Sequence, residues 1–277
     1  MKKTGLNRKS TDKFYTNKNI AENIITDIKA YIQFKSSDLI IEPSAGNGVF
    51  IPFINTLSSN LLCYDIEPHN DLIIRKDFLN VDFTDFSKYT DIHIIGNPPF
   101  GRQSSLVIKF IKKITKNNVK SISFILPKSF KKNSLKKHFP LNYHLIFEKE
   151  LENNSFNIDD IIHDVPCIFQ IWILKDTKRK APIKLKPYHY KFVKKTEDHD
   201  ISFRRVGINA GDIDMETTNK SIQSHYFIKF DDDIFNKELF KLLKKVKFIT
   251  SSDTVGPKSI GKQELMKEYN SVLQVLQ

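Results

Sequence analysis

Two cysteines, Cys63 and Cys167, are all that the 277 residues contain, and each sits inside an apolar run. So few, so far apart, they exclude a disulfide framework or a thiolate zinc site and read as core thiols of a reducing compartment. Long hydrophobic runs are also missing. A membrane-spanning helix needs about 20 mostly apolar residues, and the sequence holds no such stretch. Nor does an apolar segment follow the basic start MKKTGLNRKSTDKFYT, as a secretory signal requires. An intracellular location without membrane contact is therefore expected. The eight histidines show neither metal-ligand spacing nor a Ser or Cys neighbour suited to nucleophilic chemistry, so no metal is expected. There is no internal repeat and no low-complexity tract.

Arginine is scarce as well, with six among 44 basic residues. Lys, Ile, Asn and Phe are abundant together, as an AT-rich genome produces, so part of the net charge of +12 is compositional. One local absence says more. From Gly101 to Pro140 there is no Asp or Glu, but eleven basic residues, among them Arg102, Lys128, Lys131 and Lys132. A solvated helix face mixes both signs, so this stretch points to a polyanionic partner.

What is present organises as an α/β protein. Ile20, Ile24, Ile25, Ile28 and Ile32 recur at helical spacing and predict a helix over 17–33; Leu106, Phe110, Ile111 and Ile114 predict another. Val49–Leu57 is expected to begin a helix. Short β-branched runs at Asp38–Glu42, Leu61–Asp65, Leu72–Arg75, Asp91–Gly96 and Ser121–Leu126 predict buried strands. This alternation gives a mostly parallel sheet covered on both faces. Tyr143–Leu151 and Val165–Leu174 lack a helix between them and are expected to pair as an antiparallel hairpin at the sheet edge. A Lys- and Pro-rich stretch, 175–195, reads as a linker, which gives a domain over 1–175 and a small appended region over 176–277. In that region HYFIKF reads as a strand and Phe235–Val246 as a helix.

In such a sheet ligands bind beyond the carboxyl ends of the strands, and four polar clusters fall there. Glu42-Pro43-Ser44-Ala45-Gly46-Asn47-Gly48 is a strand-to-helix turn whose glycines permit close backbone approach to a ligand; by itself it is also an ordinary Gly-rich turn. Asp65, with Glu67 as the alternative, is placed to accept from both ribose hydroxyls of a nucleoside. Asp77-Phe78 offers a carboxylate for an adenine amino group and an aromatic ring beside it. Asn97-Pro98-Pro99-Phe100 is the most specific cluster. Its prolines fix the backbone, the Asn97 side chain and the Pro98 carbonyl supply two acceptors, and Phe100 offers a flat face. Two acceptors and an aromatic plane suit a planar ring bearing an amino group.

This set resembles the S-adenosylmethionine-dependent N6-adenine DNA methyltransferases of the amino-methylating class, with the gamma-like order of motifs. Phe14-Tyr15-Thr16 is similar to their N-terminal cofactor segment, with Asn17 where a proline is common. EPSAGNG resembles the methionine-binding loop, Asp65-Ile66 the ribose-binding acid and its neighbour, Asp77-Phe78 the adenine-binding pair, and NPPF the catalytic tetrapeptide. The resemblance covers about residues 12–175. It implies a Rossmann-like class I methyltransferase sheet with S-adenosyl-L-methionine as cofactor. It further implies methyl transfer to the N6 amino group of an adenine flipped out of DNA, with Phe100 and Phe156 against the base. Arg102, Lys128, Lys131 and Lys132 would meet phosphates; outside the resemblance, the pair Arg204-Arg205 suits guanine or phosphate, or is surface charge on the appendage. The same chemistry on RNA, a protein-glutamine substrate, and a catalytically silent nucleic-acid-binding subunit are the other readings. The appended region is short for target recognition, which leaves room for a partner subunit.

Overall fold

The computed structural model describes residues 15–152, 155–158, 161–163 and 165–275. The chain divides into two compact units, Met1–Ala181 and Pro182–Gln277.

In the first unit the elements run β1 (Tyr15–Thr16), α1 (Lys18–Tyr31), β2 (Leu39–Glu42), α2 (Ile51–Ile54), β3 (Leu61–Asp65), β4 (Ile74–Arg75), β5 (Ile92–Gly96), α3 (Ser105–Thr115), β6 (Ser121–Pro127), α4 (Asn133–Lys136), β7 (Tyr143–Glu150), β8 (Phe156–Ile158), β9 (Ile161–His163) and β10 (Cys167–Leu174). Seven strands form one sheet in the order β4-β3-β2-β5-β6-β10-β7. β2 runs parallel to β3 and β5, and β5 parallel to β6, while β10 is antiparallel to both β6 and β7. This is the order and orientation of a class I methyltransferase sheet.

Side-chain alternation assigns each strand residue to a face. Leu39 and Ile41, Ile94, Ile122, Phe124 and Trp172 pack under α3 with Val107, Phe110, Ile111 and Ile114. Ile40, Ile95, Ile125, Phe169 and Ile171 pack against Ala21, Ile24, Ile25 and Ile28 of α1. Burial on both faces explains why the central strands read as unbroken apolar runs. Cys63 and Cys167 are buried thiols. Strand order reverses between β2 and β5, so the loops after these two strands flank the switch point, where open α/β sheets bind ligands.

Several expectations shift. The hairpin partners Tyr143–Glu150 and Cys167–Leu174 do pair, but β10 is inserted between β6 and β7, and β7 forms the edge. The residues joining them carry a small hairpin of their own, whose β8 pairs with β1 in a three-stranded sheet β1-β8-β9. The expected helix after the Gly-rich turn shrinks to the single turn Ile51–Ile54, because residues 46–50 are spent on the turn itself. The third predicted strand is only Ile74–Arg75.

The second unit builds β11 (Tyr190–Val193), β12 (Ile201–Arg204), β13 (Ile213–Asp214), β14 (His225–Phe230), α5 (Lys237–Lys244) and α6 (Lys262–Val275). Its four strands are antiparallel, in the order β11-β14-β12-β13. Phe203, Ile228 and Phe230 pack against Leu239, Leu243, Leu265 and Tyr269 of the two helices. The stretch expected as a linker, 175–195, therefore contains a whole strand, since β11 spans Tyr190–Val193. Among the described residues no helix is long and apolar enough to cross a membrane.

Candidate functional site

The two switch-point loops open into one cavity of about 310 Å³. It is lined by Tyr15, Thr16, the loop from Glu42 to Asn47, Asp65, Ile66, Glu67, Lys76, Asp77, Phe78 and all four residues Asn97–Phe100. Clusters spread over more than eighty residues of sequence thus share one wall. Val49, Phe50, Leu79, Leu106 and Phe110 complete the lining, and no local motif marked them.

The loop after β2 is held from the neighbouring strand. Gly46 N–H donates to Asp65 Oδ2 at 2.7 Å, and Glu67 N–H donates to Asp65 Oδ1 at 2.9 Å. Ala45 N–H donates to the Tyr64 carbonyl at 2.9 Å. Each Asp65 oxygen so engaged retains a second lone pair for a ligand hydroxyl. Gly46 has φ +55°, and a Cβ there would lie 3.0 Å from the Tyr15 ring, so both its conformation and its space demand glycine. Tyr15 in turn hydrogen-bonds His69 Nε2 through its hydroxyl at 3.3 Å, which draws the chain before α1 and the loop after β3 together above the turn. Gly48, expected to bind cofactor, is not among the cavity residues. A Cβ there would meet Ile51 Cδ1 at 2.9 Å, so its part is to admit α2.

Glu42 ends β2 fully buried and accepts a weak hydrogen bond from the Cys63 thiol at 3.8 Å. Burial pushes its carboxyl well above the usual range; the thiol hydrogen bond pulls down, and the Asp65 charge pushes further up. Burial likewise raises the Cys63 thiol. A folded-state value above the unfolded one means that Glu42 contributes fully to stability below the ordinary carboxylate range. The contribution is lost as pH rises through the raised value. Tm measured from about pH 4 to about pH 9 should therefore fall more steeply with pH in the wild type than in Glu42→Gln; parallel curves would show that Glu42 is not buried as the acid.

The second loop carries the tetrapeptide. The Ser44 hydroxyl donates to the Asn97 carbonyl at 3.1 Å and ties the two loops together. Asn97 Nδ2 donates to Thr16 Oγ1 at 3.2 Å. With its nitrogen on Thr16, the amide turns its accepting end, Oδ1, the other way. Thr16 is itself placed by β8, opposite Phe156 in the register, and Asn17 N–H donates to the Ser155 carbonyl at 3.1 Å. Thr16, expected as a cofactor contact, lines the cavity and also holds Asn97. No local signal could reveal it, because the strand that positions Thr16 lies some 140 residues further on.

The aromatic residues are more buried than expected. Phe78 is 1% exposed and stacks on Phe110, with ring centroids 5.4 Å apart. Phe100 is 9% exposed and belongs to the core layer under α1. Both line the cavity as wall. Ile66, by contrast, is 58% exposed at its rim. The Asp77 carboxylate accepts from Leu79 N–H at 2.9 Å and so caps the turn after β4. Phe14 lies outside the described residues, as does the side chain of Phe156.

The acid-free segment is not acid-free in space. Lys128 and Lys131 both pair with Glu150 of β7, at 2.9 and 2.7 Å, and Lys136 pairs with Glu148 at 2.9 Å. Arg102 is exposed just after the tetrapeptide. In the second unit Arg204 Nε donates to the Val206 carbonyl at 3.3 Å, and the Arg205 guanidinium lies 5.5 Å from the Tyr226 ring centroid. Among the described residues no group of three or more His, Cys, Asp or Glu could hold a metal ion.

Over 115 residues the chain is 27% identical to the ribosomal RNA small subunit methyltransferase A of Malacoplasma penetrans, a match spanning 38% of this chain and 41% of the relative. Over 82 residues it is 37% identical to the type II methyltransferase M.HincII of Haemophilus influenzae, spanning 29% of this chain and 16% of the relative. The match thus covers less than half the length of either curated relative. Among solved structures, the 23S rRNA methyltransferase ErmE superposes with a TM-score of 0.43 at 14% identity, covering 60% of this chain and 71% of that one. Residues 36–183, more than half of the chain, match the model of the EDM2 methyltransferase-like domain. The chain therefore belongs to the EDM2 methyltransferase-like domain family.

Proposed function

We propose that this protein methylates the N6 amino group of adenine in nucleic acid, DNA first, with S-adenosylmethionine as cofactor. One observation carries the reading. The Asn97 amide, oriented by the Thr16 hydroxyl, shares a cavity with a glycine turn clamped by Asp65.

The residues present fit the cofactor. Asp65 keeps acceptor capacity for ribose hydroxyls, exposed Ile66 gives an apolar surface for a purine, and the Glu42–Asn47 turn supplies backbone for the methionine end. Glu67 and Asp77 add acidic character around a cation, with Lys76 as the counterweight. Bound there, S-adenosylmethionine supplies an electrophilic methyl group on a sulfonium.

The rest falls to the chain. An adenine amino nitrogen is a poor nucleophile, because its lone pair is delocalised into the ring. Asn97 Oδ1 and the Pro98 carbonyl accept its two hydrogens, draw the nitrogen toward tetrahedral geometry and stabilise the positive charge that grows on it. This is preorganised electrostatics and positioning. No strong base is required, since the methylated nitrogen is very acidic before it loses its proton. Phe100 forms a wall of the base pocket. The base must leave the duplex at a cost of a few kcal/mol, and exposed Arg102, Lys109, Lys112 and Lys116 would hold the backbone.

RNA is the second reading, favoured by the ribosomal RNA methyltransferase among the relatives. Nucleoside mass spectrometry separates the two. The protein is incubated with S-adenosylmethionine and unmethylated duplex DNA, with total RNA in parallel. N6-methyldeoxyadenosine is expected; methyl in RNA alone would move the substrate, and methyl in neither would sink the reading. A companion test concerns Glu150. Glu150→Gln removes the carboxylate that Lys128 and Lys131 share, so DNA affinity at low salt should rise a few-fold, with a steeper salt dependence. Unchanged affinity would remove both lysines from the interface.

A further inference from the structure

The second unit contains a cavity of its own, about 390 Å³, at the end of the β11–β14 pair. Its lining holds three lysines and a histidine but no acidic residue. Phe192 of β11 and Tyr226 of β14 form its aromatic part, their rings edge-to-face with centroids 5.6 Å apart. Both are half-buried at the margin of the core formed with α5 and α6. Ile222, 70% exposed, adds an apolar surface.

The cations here are held by the rings. Lys262 Nζ lies 4.3 Å from the Phe192 centroid and 5.6 Å from that of Tyr226, and the Arg205 guanidinium lies 5.5 Å from the Tyr226 centroid. Cation–aromatic contacts of this kind fix long side chains that would otherwise wander. Lys262 is also the first residue of α6, where the helix dipole disfavours a cation and favours an anion. The acidic residue of the helix's first turn, Glu264, is used in the fold: it accepts from Gly261 N–H at 2.7 Å and from the Thr250 hydroxyl at 2.6 Å. Lys195 is likewise used, donating to the carbonyls of Thr218 and Lys220 at 2.7 and 2.8 Å. Lys262 over the rings and exposed Lys194 face the cavity, while Arg205 lies against the Tyr226 ring without lining it.

We infer that this cavity is a second nucleic-acid site that takes an unpaired nucleotide, its base against Phe192, Tyr226 and Ile222 and its phosphates on Lys262, Arg205 and Lys194. Aromatic faces interleaved with cations are what single-stranded nucleic acid binds, through stacking that tolerates any base and through phosphate neutralisation. A concave seat suits a single splayed base better than the cylinder of a duplex. The inference extends the nucleic-acid reading of the first unit but rests on different residues, and it stands or falls by binding alone.

The test is fluorescence anisotropy of a labelled single-stranded oligonucleotide with the full chain, at several salt concentrations. Lys262→Glu should weaken binding at least tenfold, while Lys241→Glu, the same charge change placed on α5, should leave it within about threefold. Arg205→Ala should weaken binding and reduce the salt slope by about one. Phe192→Leu, accepted only if Tm holds, should weaken binding with little change in slope, because stacking rather than ion release is lost. Unlabelled polyglutamate should compete poorly. Wild-type binding that Lys262→Glu and Arg205→Ala leave untouched would overturn this site while sparing the proposed reaction. Equal competition by polyglutamate would reduce it to a cation patch without a base seat. A protein that binds the oligonucleotide through these residues yet methylates nothing would keep this site and overturn the reaction.

Discussion

Replacing Asn97 by Ala should lower methyl transfer by about 10²–10³-fold, the range seen when one preorganised polar contact to developing charge is removed. Cofactor affinity should stay within a few-fold, because the turn that holds the cofactor is clamped by Asp65 and not by Asn97. The loss should fall on kcat, since the acceptor matters most as positive charge appears on the attacking nitrogen. Thr16→Val gives a finer test. It keeps shape and removes the hydroxyl that receives Asn97 Nδ2–H. With the amide no longer oriented, kcat should fall about tenfold, and Thr16→Val should add nothing once Asn97 is Ala, as expected for residues acting as one unit. Turnover of Asn97→Ala within a few-fold of wild type would show that the amide is not the acceptor. Full additivity of the pair would show that Thr16 acts elsewhere.

Asp65→Ala should bring the second large loss, this time in binding. Its carboxylate receives two backbone N–H groups, from Gly46 and Glu67, and so orders the turn before any ligand arrives. Hydrogen bonds to a charged group are worth about 1.5–3 kcal/mol each, and the same oxygens are the proposed ribose acceptors. Affinity for S-adenosylmethionine, measured by calorimetry, should drop by about 100-fold or more. Gly46→Ala should mimic this effect through the Tyr15 ring 3.0 Å away. If Asp65→Ala bound the cofactor within threefold of wild type, the ribose assignment would fail. If only Gly46→Ala failed to bind, the turn would matter by shape alone.

The parts of the fold that a linear reading captures are those whose cause is local. The strands at Leu39–Glu42, Leu61–Asp65 and Ile92–Gly96 are short apolar runs because helices cover both of their faces, and that burial is written into each run. The glycine turn and NPPF are legible for the same reason. What a linear reading misses depends on residues distant in sequence. Thr16 reaches Asn97 only because β1 pairs with β8. The segment 101–140 looked free of acid, but pairing of β7 with β10 brings Glu148 and Glu150 to its lysines. Phe78 and Phe100 looked like stacking plates, and a window of sequence cannot show how much of a ring the core consumes. In the second unit, mixed polar and apolar residues in α6 hide a helix whose buried stripe is only Leu265, Met266, Tyr269 and Leu273.

The place of β10 in the sheet has a consequence for how the protein is made. As the chain leaves the ribosome, β7 emerges before its own neighbour exists, and β6 presents an unpaired edge until Cys167–Leu174 arrive between them. Open strand edges recruit other chains. A chain whose synthesis has not reached Cys167 would carry such an edge along β6, a seven-residue strand buried throughout in the finished fold. A longer wait for β10 should therefore raise the fraction of newly made protein that aggregates.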